Sequence, residues 1–217
     1  MNKVKKIAVV SALVAGLGIS GTFYASSSTQ ADKSENQRAF SNLVKEHQST
    51  KSLQQKSILM INKKTYSNKE FSAFKESKNL VQRNNGKQAL SDAKIKEDFI
   101  KESVLEQEAE KQNINVTTAE AKAFADQMKQ AVAQSQDPNT KQFLTDYISA
   151  LGISEDEYWN NYATPAYQKA LKIGKLKGNF FKQEKAKNAN LSDVDLNSAW
   201  EKQQEKLVKE STVESLN

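Results

Sequence analysis

Cysteine is absent from this 217-residue chain, proline occurs twice and histidine once. Without a thiol there is no disulfide, no lipid-modified N-terminal cysteine, no thiol redox chemistry and no cysteine-ligated zinc. Stability has to come from packing alone. The lone imidazole, His47, lies in a polar stretch, where it reads as an exposed helix residue rather than a member of a triad. No nucleophile elbow, phosphate-binding glycine loop or metal-ligand spacing occurs. The acidic run Glu155-Asp156-Glu157 sits at a helix start, where negative charge complements the helix dipole. The pattern argues against an enzyme and calls for no cofactor and no metal.

Long apolar runs are scarce too. The opening residues MNKVKKIAVVSALVAGLGISGTFYASSSTQA place Lys3, Lys5 and Lys6 ahead of an uncharged run over residues 7–19. That run is too short to span a bilayer comfortably, and small polar residues follow it, which is the pattern of a secretory signal peptide. Cleavage is expected after Ala31, with a cut nearer Ala25 as the alternative and a retained membrane anchor as the second reading of the segment. Removing the three signal lysines lowers the formal charge from +6 to +3. The mature part is therefore only mildly basic and carries no nucleic-acid footprint, while a weak contact with anionic cell-wall polymer or a membrane surface stays open. About 186 residues remain after the cut, enough for one domain with a sufficient core.

Residues 32–56 are polar, with sparse apolar positions at Phe40, Leu43 and Val44, and read as a loose or docking helix. Ile58-Leu59-Met60-Ile61 followed by Asn62-Lys63-Lys64 reads as a brief strand and turn. Ser67 with Glu70, and Thr117 with Glu120, have capping-box spacing, and Ser91 is a further cap. They open helices through Phe71, Phe74, Leu80 and Val81, through Ile95, Phe99, Ile100, Val104 and Leu105, and through Phe124, Met128 and Val132. Asp137-Pro138 interrupts the last of these. A shorter helix carries Phe143, Tyr147, Ile148 and Leu151, and Gly152 stands where a left-handed C-terminal cap belongs.

The most informative segment is SEDEYWNNYATPAYQKALKIGKL, residues 154–176. Ser154 and Glu157 have capping-box spacing, and Trp159, Tyr162, Ala166, Ala170, Ile173 and Phe180 fall on one helical face that Tyr158, Tyr167 and Leu171 widen. Pro165 should bend this helix. After a polar stretch over residues 182–190, a last helix bears Leu196, Trp200 and Leu207, and TVESL, residues 212–216, reads as a closing strand. No internal repeat or sustained heptad appears.

This order resembles the N-terminal chaperone domain of the SurA and PrsA folding factors over residues 57–181. Its carriers are ILMINKKTYSNKEF, LEQEAEKQNINVTTAE and ISEDEYWNNYATPAYQKALKIGKL. The resemblance implies a mainly α, multi-helix chaperone domain in which the C-terminal strand returns to pair with the N-terminal one as a small two-stranded unit. The organisation expected is a signal peptide over residues 1–31, a polar segment over 32–56 and a helical domain over 57–217. Relatives of this type carry a parvulin-type prolyl isomerase domain, for which the residues after Phe181 leave no room. PrsA proteins are lipid-anchored through a cysteine that this chain lacks, so the product is expected free of a lipid anchor, outside the cell or in its envelope.

The function so implied is that of an ATP-independent holdase whose partners are unfolded or newly secreted polypeptides. A holdase needs apolar and aromatic surface rimmed by charge. Rings and methionine adapt to many sequences because their contacts are large and non-directional. The candidate contacts are Phe99, Phe124, Met128, Phe143, Tyr147, Tyr158, Trp159 and Tyr162, although most such residues pack a core in a helical domain of this size. The competing readings are a secreted cell-wall-binding protein, motivated by the lysines, and prolyl isomerisation, motivated by family membership. Export comes first: mass spectrometry of the protein from culture medium or envelope should find an N-terminus near Asp32, and a full-length cytoplasmic product would refute it.

Overall fold

The computed structural model describes residues 44, 45, 48 and 55–216, apart from 85–87 and 137. The apolar run over residues 7–19 expected to be a signal peptide, Phe40, Leu43 and His47 lie outside the described residues. Strand β1 (Ser57–Ile61) alternates toward the core, with Leu59 and Ile61 buried between half-buried neighbours. It turns through Asn62 and Lys63, both at positive φ (47° and 69°), into β2 (Lys64–Ser67). Two left-handed residues make the turn whose twist matches an antiparallel hairpin, and asparagine tolerates that conformation better than most side chains. Thr65 and Tyr66 continue as a strand, with Tyr66 burying its ring opposite Leu59.

The Ser67 box forms as expected, with the Ser67 amide donating to Glu70 Oε2 at 2.7 Å and the Glu70 amide to Ser67 Oγ at 3.2 Å. It opens α1 (Asn68–Asn84). Ser91 caps α2 (Asp92–Lys111), which ends before Asn113 at φ 57°. Thr117 and Glu120 make both halves of a box at the head of α3 (Thr118–Ala133). Helix α4 (Pro138–Leu151) stops at Gly152, φ 64°, a conformation glycine adopts without steric cost. Ser154 then caps the single turn α5 (Glu155–Glu157) through the Glu157 amide. A π-helical segment (Tyr158–Ala163) follows, and α6 (Thr164–Lys187) continues from it. Ser192 and Asp195 form a further box at α7 (Asp193–Glu210), and β3 (Val213–Ser215) closes the chain.

Strand β3 pairs with β1 in antiparallel register, Ile61 opposite Val213 and Leu59 opposite Ser215. The expected pairing of the first and last strands is present, but it belongs to a three-stranded sheet in the order β2-β1-β3. Asn62 fastens the junction. Its amide donates to the Thr212 carbonyl and its Oδ1 accepts from the Thr212 amide, both at 2.9 Å. Of the polar stretch over residues 182–190, the part as far as Lys187 continues the helix. Phe180 and Phe181 hold the preceding turn against Trp200, and the basic residues Lys185 and Lys187 suit the helix C-terminus.

Among the described residues, three groups of buried side chains fill the interior. Beneath the sheet, Phe99 stands edge-on to Tyr66, Phe71 and Phe74 at 5.2 to 5.4 Å. Leu105, Ile114, Ile173, Leu176 and Trp200 form the second group and the tyrosines around the π-helical segment the third. Between α1 and α2, Lys78 and Glu102 make a buried ion pair at 2.7 Å. Trp200 is 5 % exposed and its ring lies 5.4 Å from Phe180. Trp200→Ala should therefore cost about 3 to 5 kcal/mol in denaturant unfolding, and truncation before Leu191 should lower the Tm. An unchanged Tm would make the C-terminal segment an appendage.

Candidate functional site

The site is assembled where the chain approaches Pro165. Proline has no amide to donate to the Asn161 carbonyl, so the α-helical ladder fails there. The chain takes the wider π turn over Tyr158–Ala163 there, and the Thr164 hydroxyl donates to the Trp159 carbonyl at 2.8 Å. A π turn holds one residue more than an α turn, which shifts the phase of the side chains behind it. The buried face thus runs through Tyr158, Trp159, Ala163 and Tyr167, while Tyr162, Ala166 and Ala170 are only half-buried. Evenly spaced positions in the sequence assigned Tyr162 and Ala166 to the core line instead.

Helix α4 supplies Tyr147 to this cluster, and α3 supplies Phe124, Ala125 and Met128. Tyr158 stacks on Tyr162 at 5.8 Å and 24°, and meets Tyr147 and Trp159 edge-on at 5.9 and 5.1 Å. Phe143 stacks on Tyr147 at 6.4 Å, and Phe124 stands edge-on to Tyr167 at 5.1 Å. The polar tips are also accounted for. Tyr147 donates its hydroxyl to Tyr162 at 3.2 Å, and Trp159 Nε1 donates to Glu155 Oε1 at 3.2 Å. Lys129 on α3 reaches both Glu155 and Asp156, tying that helix to the start of the π segment.

Of the eight residues singled out from the sequence, seven meet here and Phe99 does not; it is the hub beneath the sheet. Tyr147, Tyr158 and Trp159 are buried, at 1 to 3 % exposure, whereas Phe124, Met128, Phe143 and Tyr162 are half-buried on the cluster's rim. Ile148 and Ile153 complete that rim, Val44 packs against the same cluster, and none of the three was among the eight. Ile153 was legible in principle, because it precedes the Ser154 cap by one residue and joins Tyr158, four after the cap, in one cluster, the spacing of a hydrophobic staple. Among the described residues the large hydrophobics that stand exposed are Val194 and Val213, both remote in sequence from the cluster. No group of three His, Asp and Glu able to hold a metal occurs among the described residues.

Burial dominates the titration of the tyrosines. It pushes Tyr162 up to about 12, and the charge of Glu76 on α1 adds to the shift, against the hydrogen bond from Tyr147. Tyr147, Tyr158 and Tyr167 are raised above their ordinary value of 10.0, again chiefly by burial. A raised tyrosine pKa means that the folded state keeps a proton the unfolded chain has already released. The cluster's stabilisation is thus complete below pH 10 and declines as pH rises from 10 toward about 12. Alkaline titration should show tyrosinate absorbance appearing together with loss of tertiary signal. Tyr147→Phe should make that decline shallower, and independent ionisation of all the tyrosines near pH 10 in the folded protein would contradict the burial argument.

No protein-family model, curated protein or solved structure matches this chain.

Proposed function

We propose that the protein is an extracytoplasmic, ATP-independent holdase that binds unfolded exported polypeptides and catalyses no chemical step. The observation that carries this reading is the rim of half-buried apolar side chains, Phe124, Met128, Phe143, Ile148, Ile153 and Tyr162, resting on a rigid bed of buried rings. Rings and a thioether present large contact area with little demand on sequence. The resemblance of residues 57–181 to SurA and PrsA chaperone domains points the same way, as do the mainly helical architecture and the strand returning at the C-terminus. The buried members act as positioning residues, and the rim touches the client.

The wall-binding alternative draws on the lysines, and their partners weaken it. Along α6, Lys172 meets Glu106 and Glu110, Lys175 meets Glu120, Lys169 meets Glu106, and Lys185 and Lys187 meet Asp193 and Glu184. A cation already facing a carboxylate offers little to an anionic polymer, and exposed pairs of this kind are screened by salt.

The mature protein at several-fold molar excess should suppress aggregation of an unfolded client. High salt should spare or strengthen the effect, since burial of apolar surface drives it. Phe143→Ser combined with Met128→Ser should reduce suppression by more than half with a far smaller effect on the Tm than Tyr158→Ala. Suppression that fades with ionic strength would favour the lysine mode, and acceleration of a proline-limited refolding reaction would favour isomerisation. No suppression at any ratio would overturn the holdase reading.

A further inference from the structure

The rim already has an occupant from this chain. Val44, eleven residues ahead of the continuously described part of the chain, is half-buried and packs against the aromatic cluster, and Val44, Lys45 and Gln48 are helical. The polar side chains at Lys45 and Gln48 are exposed. In sequence, Phe40, Leu43 and Val44 fall at the three- and four-residue spacing of one helical stripe, in a segment otherwise almost wholly polar. Val44 is the apolar side chain of this turn among the described residues, and one half-buried valine gains little from burial. A contact of that strength is exchangeable.

We propose that the aromatic rim is a helix-accepting surface whose resident occupant is the turn carrying Val44, and that a client segment competes with this turn for the same side chains. Amphipathic helices dock into apolar grooves through residues at three- and four-residue intervals, which is the pattern the chain itself supplies. Occupation in cis by this turn covers part of the cluster when no client is present. The competition half of the proposal rests on the holdase reading; the occupancy half does not.

Met128 belongs to the rim and Met60 to β1, so limited oxidation by hydrogen peroxide followed by mass spectrometry reports on both in the full chain. Val44→Asp should raise the oxidation rate of Met128 several-fold and leave Met60 unchanged, while Val44→Leu should behave like the parent. A synthetic peptide of residues 36–54 should restore protection of Met128 in the Val44→Asp protein. Equal Met128 rates in parent and Val44→Asp, or a parallel rise at Met60, would overturn the occupancy. So would protection that depends on protein concentration, which would make the occupant a second copy. In the aggregation assay, Val44→Asp should suppress at a lower molar ratio than the parent. An unchanged ratio alongside an exposed Met128 would overturn the competition, whereas absence of suppression in every variant would overturn the holdase reading and leave the occupancy decided by the oxidation rates.

Discussion

The structure depends on one helix having to bury its two halves in different places. Upstream of Pro165 the chain presents Tyr158 and Trp159 to α3 and α4; downstream, α6 presents Ile173 and Leu176 to α2 and α7. A single straight α-helix keeps one face throughout and would serve these two partners only if they lay in line. The π turn changes the phase between them, and it sits where proline has already removed a ladder bond, so little additional hydrogen bonding is lost. Gln168, halfway along, donates to the Val116 carbonyl at 2.7 Å and fixes the axial position of α6 against the loop before α3. The aromatic rim exists because this helix is held at both ends.

Much of this was legible in the sequence. Caps at Ser67, Ser91, Thr117 and Ser154 and the stop at Gly152 follow from local chemistry, in which a residue within four positions satisfies or ends a ladder. What was not legible is what local spacing does not encode. Phase through residues 158–163 depends on a π turn, and periodicity analysis assumes a constant 3.6 residues per turn. Phe99 carries the same apolar signal as Phe124, yet one is a hub beneath the sheet and the other lies on the rim. Spacing sorts residues by helix face and says nothing of which neighbour covers that face.

Helix α1 binds the halves in another way. Glu76, Ser77, Lys78 and Asn79 are consecutive and all buried, a run of polar residues that hydropathy alone would place in solvent. Burial of such groups is tolerable only when they are paired. Lys78 meets Glu102 on α2 at 2.7 Å and lies 5.0 Å over the Phe74 ring, and Asn79 accepts from the Leu90 amide at 3.3 Å. On the other side Glu76 lies near enough to Tyr147 and Tyr162 to disfavour their ionisation. Apolar contacts would let α1 slide, whereas directional pairs of this kind admit one placement.

That placement bears on how the rim works. Within the bed of Tyr147, Tyr158 and Trp159, the Tyr147 hydroxyl is engaged by Tyr162 and the Trp159 indole by Glu155. On the proposed holdase reading, a client that engages the rim would meet half-buried side chains above buried rings. On the holdase reading we propose, the ordering cost of binding would fall on Phe143, Met128 and the client rather than on the fold, a condition for modest affinity and broad sequence tolerance. A holdase that must release what it holds, with no nucleotide to drive release, needs that balance.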